Sequence, residues 1–95
     1  MYNRSYNLFE CLWFEDQEIQ DRVNKLDRSN PKHHRRIIRL NMARMEFLAD
    51  MNAITRSELQ LEDAMPLEQL IPCLETKYRH WLGEIQPLFA GALEE

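Results

Sequence analysis

The residues of this chain that could do chemistry are few and poorly spaced for it. Its histidines are His33, His34 and His80. The first two are adjacent, so on a helix their side chains would point about 100° apart. Metal ligands normally converge at helical spacings of three or four residues, or in paired Cys or His motifs. Neither pattern occurs, and we predict no metal site and no cofactor.

Covalent catalysis needs a cysteine or serine beside a histidine and an orienting group. The chain has no GxSxG pattern, and its cysteines, Cys11 and Cys73, stand alone and far apart. We expect both thiols to be reduced and buried. The two glycines, Gly83 and Gly91, cannot form a phosphate-binding loop. We therefore predict that the protein is not an enzyme and has no catalytic residue.

A basic segment indicates a different kind of site. From Arg22 to Arg39 the chain has seven lysines or arginines and one acid, Asp27, for a formal charge of +6. The rest of the chain carries −10, since the net charge is −4. We call the basic residues and histidines of this segment the basic tip. They are Arg22, Lys25, Arg28, Lys32, His33, His34, Arg35, Arg36 and Arg39.

The basic tip includes the start of a predicted helix, where unpaired backbone N–H groups favour anions and disfavour cations. The basic side chains and the unpaired N–H groups can bind an anion together. The candidates are a nucleic-acid phosphate, an acidic or phosphorylated protein segment, and the carboxylates of a second copy. The histidines would add charge in mildly acidic conditions. Alternatively, the charges only keep this end solvated, or they pair with acids that follow the second helix. Those acids are Glu58, Glu62, Asp63 and Glu68.

Nucleic acid is the less favoured of these partners. The chain outside residues 22–39 has a charge of −10, which offsets part of the attraction between the basic tip and nucleic-acid phosphates. No aromatic residue lies between Arg22 and Arg44 to stack on bases, and we find no helix-turn-helix turn, RNA-binding motif or zinc-finger spacing. Nucleic-acid binding is therefore the alternative hypothesis, and protein binding the leading one.

Aromatic residues near the N-terminus form a second candidate surface. Five of the nine aromatics lie in the first fourteen positions: Tyr2, Tyr6, Phe9, Trp13 and Phe14. We call the last four the aromatic surface. On a helix they point in several directions, so some of them would stay exposed, and aromatic residues are enriched where proteins meet. We predict that the aromatic surface binds a partner protein or a second copy; the alternative is that a third helix covers it as core.

Three segments with helical periodicity must position these residues. Apolar residues recur at helical spacing over about 7–28, about 31–56 and a third, proline-punctuated segment that ends near residue 90. Two starts are open for the third helix. Either one long helix begins at Pro66 and is kinked at Pro72, or Pro66 begins only a short helical turn and the main helix starts at Pro72. The pattern predicts an all-α fold, a three-helix bundle.

Capping signals mark two helix starts. Asn7 and Glu10 have the spacing of a capping box. Ser29 or Asn30 suits an N-cap, with Pro31 at the first helical position. The link between the first two helices is then about three residues, so they form an antiparallel hairpin and the third helix packs across it.

The second segment is apolar on two faces. The broader face contains Ile37, Leu40, Ala43, Phe47, Leu48, Met51 and Ile54. The second face contains Ile38, Met42, Met45 and Ala49. A helix that is apolar on two sides is normally packed on two sides, so we predict a central helix with a neighbour on each flank. Arg44 lies near the apolar surface and needs a partner if it is buried.

Length and hydropathy limit the remaining possibilities. The 95 residues suit a single helical domain, residues 1–95. No stretch is apolar enough to cross a bilayer, and the N-terminus lacks the features of a secretory signal. We expect a cytoplasmic protein with no membrane partner, which acts as an adaptor, regulator or inhibitor by binding another protein or itself as a homodimer.

Overall fold

The structure is a computed structural model that describes residues 3–91 of the chain. Helix α1 spans Asn3–Lys25, α2 spans Pro31–Glu58 and α3 spans Leu67–Gly91. Each helix contacts the other two, with the most extensive contact between α1 and α2. The predicted all-α three-helix bundle is confirmed.

The core consists of one apolar strip from each helix. Leu12 and Ile19 of α1 have no exposed surface, as the helical periodicity predicted. Phe47 of α2 is equally buried, and its ring centroid lies 6.0 Å from that of Tyr78 in α3. The buried apolar residues are Leu8, Leu12, Ile19, Val23, Ile37, Leu40, Ala43, Phe47, Met51, Ile54, Leu70, Ile71, Leu74 and Ile85.

Helix α1 begins earlier than its sequence signal. The helix starts at Asn3, so Asn7 lies inside it and the predicted start at a capping box was wrong. Ser5 occupies the added turn, is buried, and donates its hydroxyl to the carboxylate of Glu58 in α2. A serine is neutral to unfavourable in an isolated helix, but a partner from another helix stabilises it there.

Helix α3 is continuous through two prolines, Pro72 and Pro87. Pro66 precedes it, and the Pro66 carbonyl accepts hydrogen bonds from the N–H groups of Gln69 and Leu70 at 3.0 and 2.9 Å. Each internal proline costs one backbone hydrogen bond, and both side chains lie on the exposed side of the helix. Of the two predicted arrangements, the structure has the longer helix that contains Pro72.

Polar contacts between the helices determine the register in which the helices pack. Arg44 Nε of α2 donates to Asp16 Oδ1 of α1 at 2.8 Å, which supplies the partner that Arg44 was predicted to need. Lys77 Nζ of α3 lies 2.6 Å from Glu46 and 3.0 Å from Asp50 of α2. In two of these contacts the carboxylate, Asp16 or Asp50, is buried and needs its cation in one position, so the contacts favour one register of the bundle.

The outer face of α2 is not covered by the described residues. Helices α1 and α3 flank α2, as predicted, but both pack on its broader face. The second face is exposed, and Leu48, which the sequence assigned to the broader face, is 47% exposed and lies beside it. The expectation that both apolar faces would be packed was therefore wrong. We call the exposed set the α2 stripe: Ile38, Met42, Met45, Leu48 and Ala49.

The cysteines also differ from expectation. Cys11 and Cys73 are free thiols, but both are exposed, so their predicted burial was wrong. Leu8 and Leu12 occupy the core positions of α1 at this level. Cys11 lies three residues after Leu8 and one residue before Leu12. It is therefore on the side of α1, next to the buried strip and not within it.

Candidate interaction surfaces

The turn between α1 and α2 positions the basic tip. Asn30 caps α2 by accepting a hydrogen bond from the Lys32 N–H at 3.0 Å, and Pro31 follows at the first helical position. Asp27 Oδ1 accepts from the N–H and the hydroxyl of Ser29 at 2.9 and 2.6 Å. These hydrogen bonds from Ser29 lower the pKa of Asp27 below its ordinary value. The turn is thus a local structure with its own polar contacts.

The two histidines of the basic tip fold back on this turn. His33 Nδ1 accepts a hydrogen bond from the Asp27 N–H at 2.9 Å. His34 Nε2 lies 2.8 Å from the Arg28 carbonyl oxygen, which can only accept, so this nitrogen carries the proton. Both rings therefore hold the backbone between the helices, a contribution that residue type and spacing did not indicate.

The remaining cations of the basic tip divide into two groups. Arg22 donates to Glu18 at 2.9 Å and lies over the ring of Phe89, with 4.1 Å from guanidinium carbon to ring centroid. Arg39 lies 3.3 Å from Glu84 of α3, and Arg36 is half-buried. Among the lysines and arginines of the basic tip, those that are exposed and form no ion pair within residues 3–91 are Lys25, Arg28, Lys32 and Arg35. These four are the part of the basic tip that can meet an external anion.

The acids that were considered as partners for the basic tip lie at the other end of the bundle. Asp63 pairs with Arg56, and Glu58 accepts from Ser5. Glu62 and Glu68 are exposed on the connection and at the start of α3. The alternative in which these acids neutralise the basic tip within one chain is therefore wrong. We call residues 56–75, which contain five acids and one arginine for a charge of −4, the acidic end.

The aromatic surface is largely open to solvent. Tyr6 is 65% exposed, Phe14 56% and Trp13 45%. The rings of Trp13 and Phe14 pack edge to face on the outside of α1, with centroids 5.2 Å apart. Phe9 differs, because it is half-buried and packs against the core. Tyr2 lies outside the described residues.

Tyr78 lies in a groove between α1 and α3, beside Cys11. Burial, with smaller contributions from Glu15 and Cys11, raises the pKa of Tyr78 to about 12. The Tyr78 hydroxyl therefore stays protonated at neutral pH, and Cys11 beside it is exposed. Among residues 3–91, no three His, Cys, Asp or Glu side chains cluster in a way that could hold a metal ion.

Comparisons with protein-family models, with curated proteins and with solved structures found no match to this chain. Of the helices in residues 3–91, none combines the length and the apolar character needed to cross a bilayer.

Proposed function

We propose that the chain is a non-enzymatic helical module for protein–protein interaction, which acts as an adaptor, regulator or inhibitor. The aromatic surface supplies apolar contact, and the exposed part of the basic tip orients a partner that carries an acidic segment. The observation that supports this most is the exposure of Tyr6, Trp13 and Phe14 in a bundle whose core is already filled by aliphatic side chains and Phe47. Exposed free thiols suit a reducing compartment, and we place the protein in the cytoplasm.

The exposed rings favour binding because of their type and proximity. Single apolar residues on a surface are common and need no explanation. The rings of Trp13 and Phe14 are in contact, and Tyr6 lies two turns before Trp13 on the same side of α1, so one partner can cover all three. Aromatic side chains lose little conformational entropy when they are covered and bury much apolar area, so they commonly dominate binding energy.

The test of this proposal is a capture experiment with paired variants. Tagged wild-type chain and a Tyr6→Gln, Trp13→Gln double variant are incubated with soluble extract of the cells that make the protein, and retained proteins are quantified by mass spectrometry. We expect a reproducible partner whose retention falls about tenfold or more in the double variant.

Leu59→Gln is the matched control, because Leu59 is 65% exposed but lies in the connection after α2. It should retain the partner as the wild type does. Circular dichroism should show equal helicity for all three proteins. If the double variant and the control retain the same proteins in the same amounts, the aromatic surface has no binding role.

Nucleic-acid binding is the second candidate, favoured by one observation. Lys25, Arg28, Lys32 and Arg35 are exposed at one end of the molecule and are not neutralised within the described chain. Such a group can replace the counterions of a phosphate backbone.

Fluorescence anisotropy with a short DNA duplex and a short RNA at low salt tests it. Binding should weaken in a Lys32→Ala, Arg35→Ala variant, and the salt dependence should flatten by about one unit of slope per lost phosphate contact. Arg79→Ala, which removes an exposed arginine of α3, should leave the binding unchanged. Absence of wild-type binding at low salt would exclude this candidate.

A further inference from the structure

The α2 stripe is an exposed apolar surface that the proposed function leaves unused. Met45 is 70% exposed, Ile38 58%, Met42 54% and Leu48 47%. Their spacing places them along one side of α2 over three turns. A run of side chains this large and this exposed is unusual on the surface of a protein that has no partner there.

The charged residues within the α2 stripe's span are turned away from it. Between positions 38 and 49 the charged residues are Arg39, Arg44 and Glu46. Arg39 and Glu46 form ion pairs with α3, and Arg44 forms one with α1. The ion pairs thus draw each charge to a flank of α2 and leave an uncharged surface between them, which can be covered without burying a charge.

The α2 stripe is suited to meet a second copy of itself. It extends from position 38 to position 49, and its centre coincides with the middle of α2, which spans Pro31–Glu58. A two-fold axis at this point, perpendicular to the helix, superimposes the stripe of one copy on that of the other in antiparallel orientation. Two-fold interfaces use the same patch on both copies, so a centred patch meets the geometric requirement.

The charge distribution selects this orientation. The four exposed cations of the basic tip lie at one end of the rod-shaped molecule, and the exposed acids Glu62 and Glu68 lie at the other. In an antiparallel pair each basic tip lies beside the acidic end of the other copy, whereas a parallel pair brings like charges together. Complementary charge of this kind fixes the register of an interface.

We propose that the α2 stripe is the two-fold interface of an antiparallel homodimer. This rests on the proposed function, protein binding, and names a second copy of the chain as one partner. Met42 and Met45 form the centre of the interface and Ile38 lies at its end, while Lys32 and Arg35 of each copy face the acidic end of the other.

Equilibrium sedimentation of wild type and a Met45→Glu variant tests the interface. The wild type should show twice the monomer mass. Met45 lies close to the two-fold axis, so the variant brings two glutamates together and should raise the dissociation constant by about 100-fold or more. Tyr6→Glu is the control, because Tyr6 is similarly exposed on α1 but lies outside both the α2 stripe and the acidic end, and this variant should remain dimeric. Circular dichroism establishes that each variant is folded.

The orientation is tested separately. A spin label at Thr55→Cys, an exposed position of α2 outside the α2 stripe, the basic tip and the acidic end, with Cys11→Ser and Cys73→Ser, should give a distance of about 35 Å between the two copies, as 1.5 Å per residue predicts for an antiparallel pair. A parallel pair would give about 10–20 Å, the spacing of neighbouring helices and their labels, and would overturn the proposed orientation.

A monomeric wild type, or a dimer unaffected by Met45→Glu, would overturn the proposed interface. A monomer that captures a foreign protein through the α2 stripe would do the same and assign the stripe to that protein. The proposed function is overturned by a different result, namely that the Tyr6→Gln, Trp13→Gln variant captures the same partner proteins as the wild type. The two results are therefore distinguishable.

Discussion

Asp16 and Asp50 are both buried carboxylates, and their hydrogen bonding differs. The two oxygens of Asp16 accept hydrogen bonds from Arg44 and Gln20. Asp50 accepts from Lys77 through Oδ1, while its buried Oδ2 has no hydrogen-bond partner among the described residues. Burial raises the pKa of Asp50, and the hydrogen bond and charge of Lys77 oppose this without cancelling it.

The Asp50→Asn variant should gain stability relative to wild type as the pH rises. A carboxyl group whose pKa is raised by folding stabilises the folded state when it is protonated. That contribution is complete below the ordinary pKa of 3.8 and is lost as the pH rises through the raised value. Asparagine does not titrate, so urea unfolding of both proteins in acid and at neutral pH should show the change. A variant that loses stability relative to wild type over this range would contradict the assignment.

The Lys77→Met variant examines the same contacts from α3. It removes the cation that lies between Glu46 and Asp50 and leaves two carboxylates near each other. Because the Lys77 side chain is 38% exposed, water moderates the loss, and we expect the free energy of unfolding to fall by about 1–2 kcal/mol. Arg79→Met, at an exposed position of the same helix, should cost less than about 0.5 kcal/mol. Equal losses in urea titrations would show that the Lys77 ion pairs contribute nothing.

At the scale of the helices, periodicity predicted which elements exist but not all of their ends. Ile19 and Val23 recur at helical spacing because the buried side of a helix must be continuous, and this is a local property of the sequence. The first turn of α1 depends instead on Ser5 and Glu58, which are 53 positions apart. No local signal encodes that contact, whereas the cap of α2 is local and the candidates at Ser29 and Asn30 included the correct residue.

The Asn30→Ala variant should therefore lose a measurable part of the stability of the hairpin. Its side chain satisfies the Lys32 N–H, and loss of an N-cap typically costs about 1 kcal/mol. Asn24→Ala, at an exposed position inside α1, is the control and should be neutral or slightly stabilising because alanine favours helix. Thermal or urea unfolding gives the comparison, and an Asn30→Ala variant as stable as wild type would mean that solvent replaces the cap.

At the scale of the molecule, the sequence predicted the basic tip but not what lies beside it. Helix α2 has 28 residues and is about 42 Å long, so it separates the tip from Glu62 and Glu68. Sequence distance alone could not show that these acids belong to the opposite end.

The α2 stripe shows a related limit of periodicity. The pattern identified Ile38 and Met45 as one apolar face, but the number of neighbours that cover a helix is a property of the assembled bundle. In this bundle α1 and α3 both pack on the broader face of α2 and leave the second face exposed. This exposure makes the α2 stripe a third candidate surface, beside the basic tip and the aromatic surface.

Hydroxyl-radical footprinting of the aromatic surface measures whether protein covers these exposed side chains in the cell extract. Rates of side-chain oxidation are measured for dilute purified protein and for tagged protein in soluble cell extract. We predict that Tyr6, Trp13 and Phe14 oxidise readily in the dilute protein and become protected in the extract, while Leu59 and Leu61 react equally in both. Equal rates at the aromatic residues in the two conditions would show that this surface stays bare, which would contradict the proposed function.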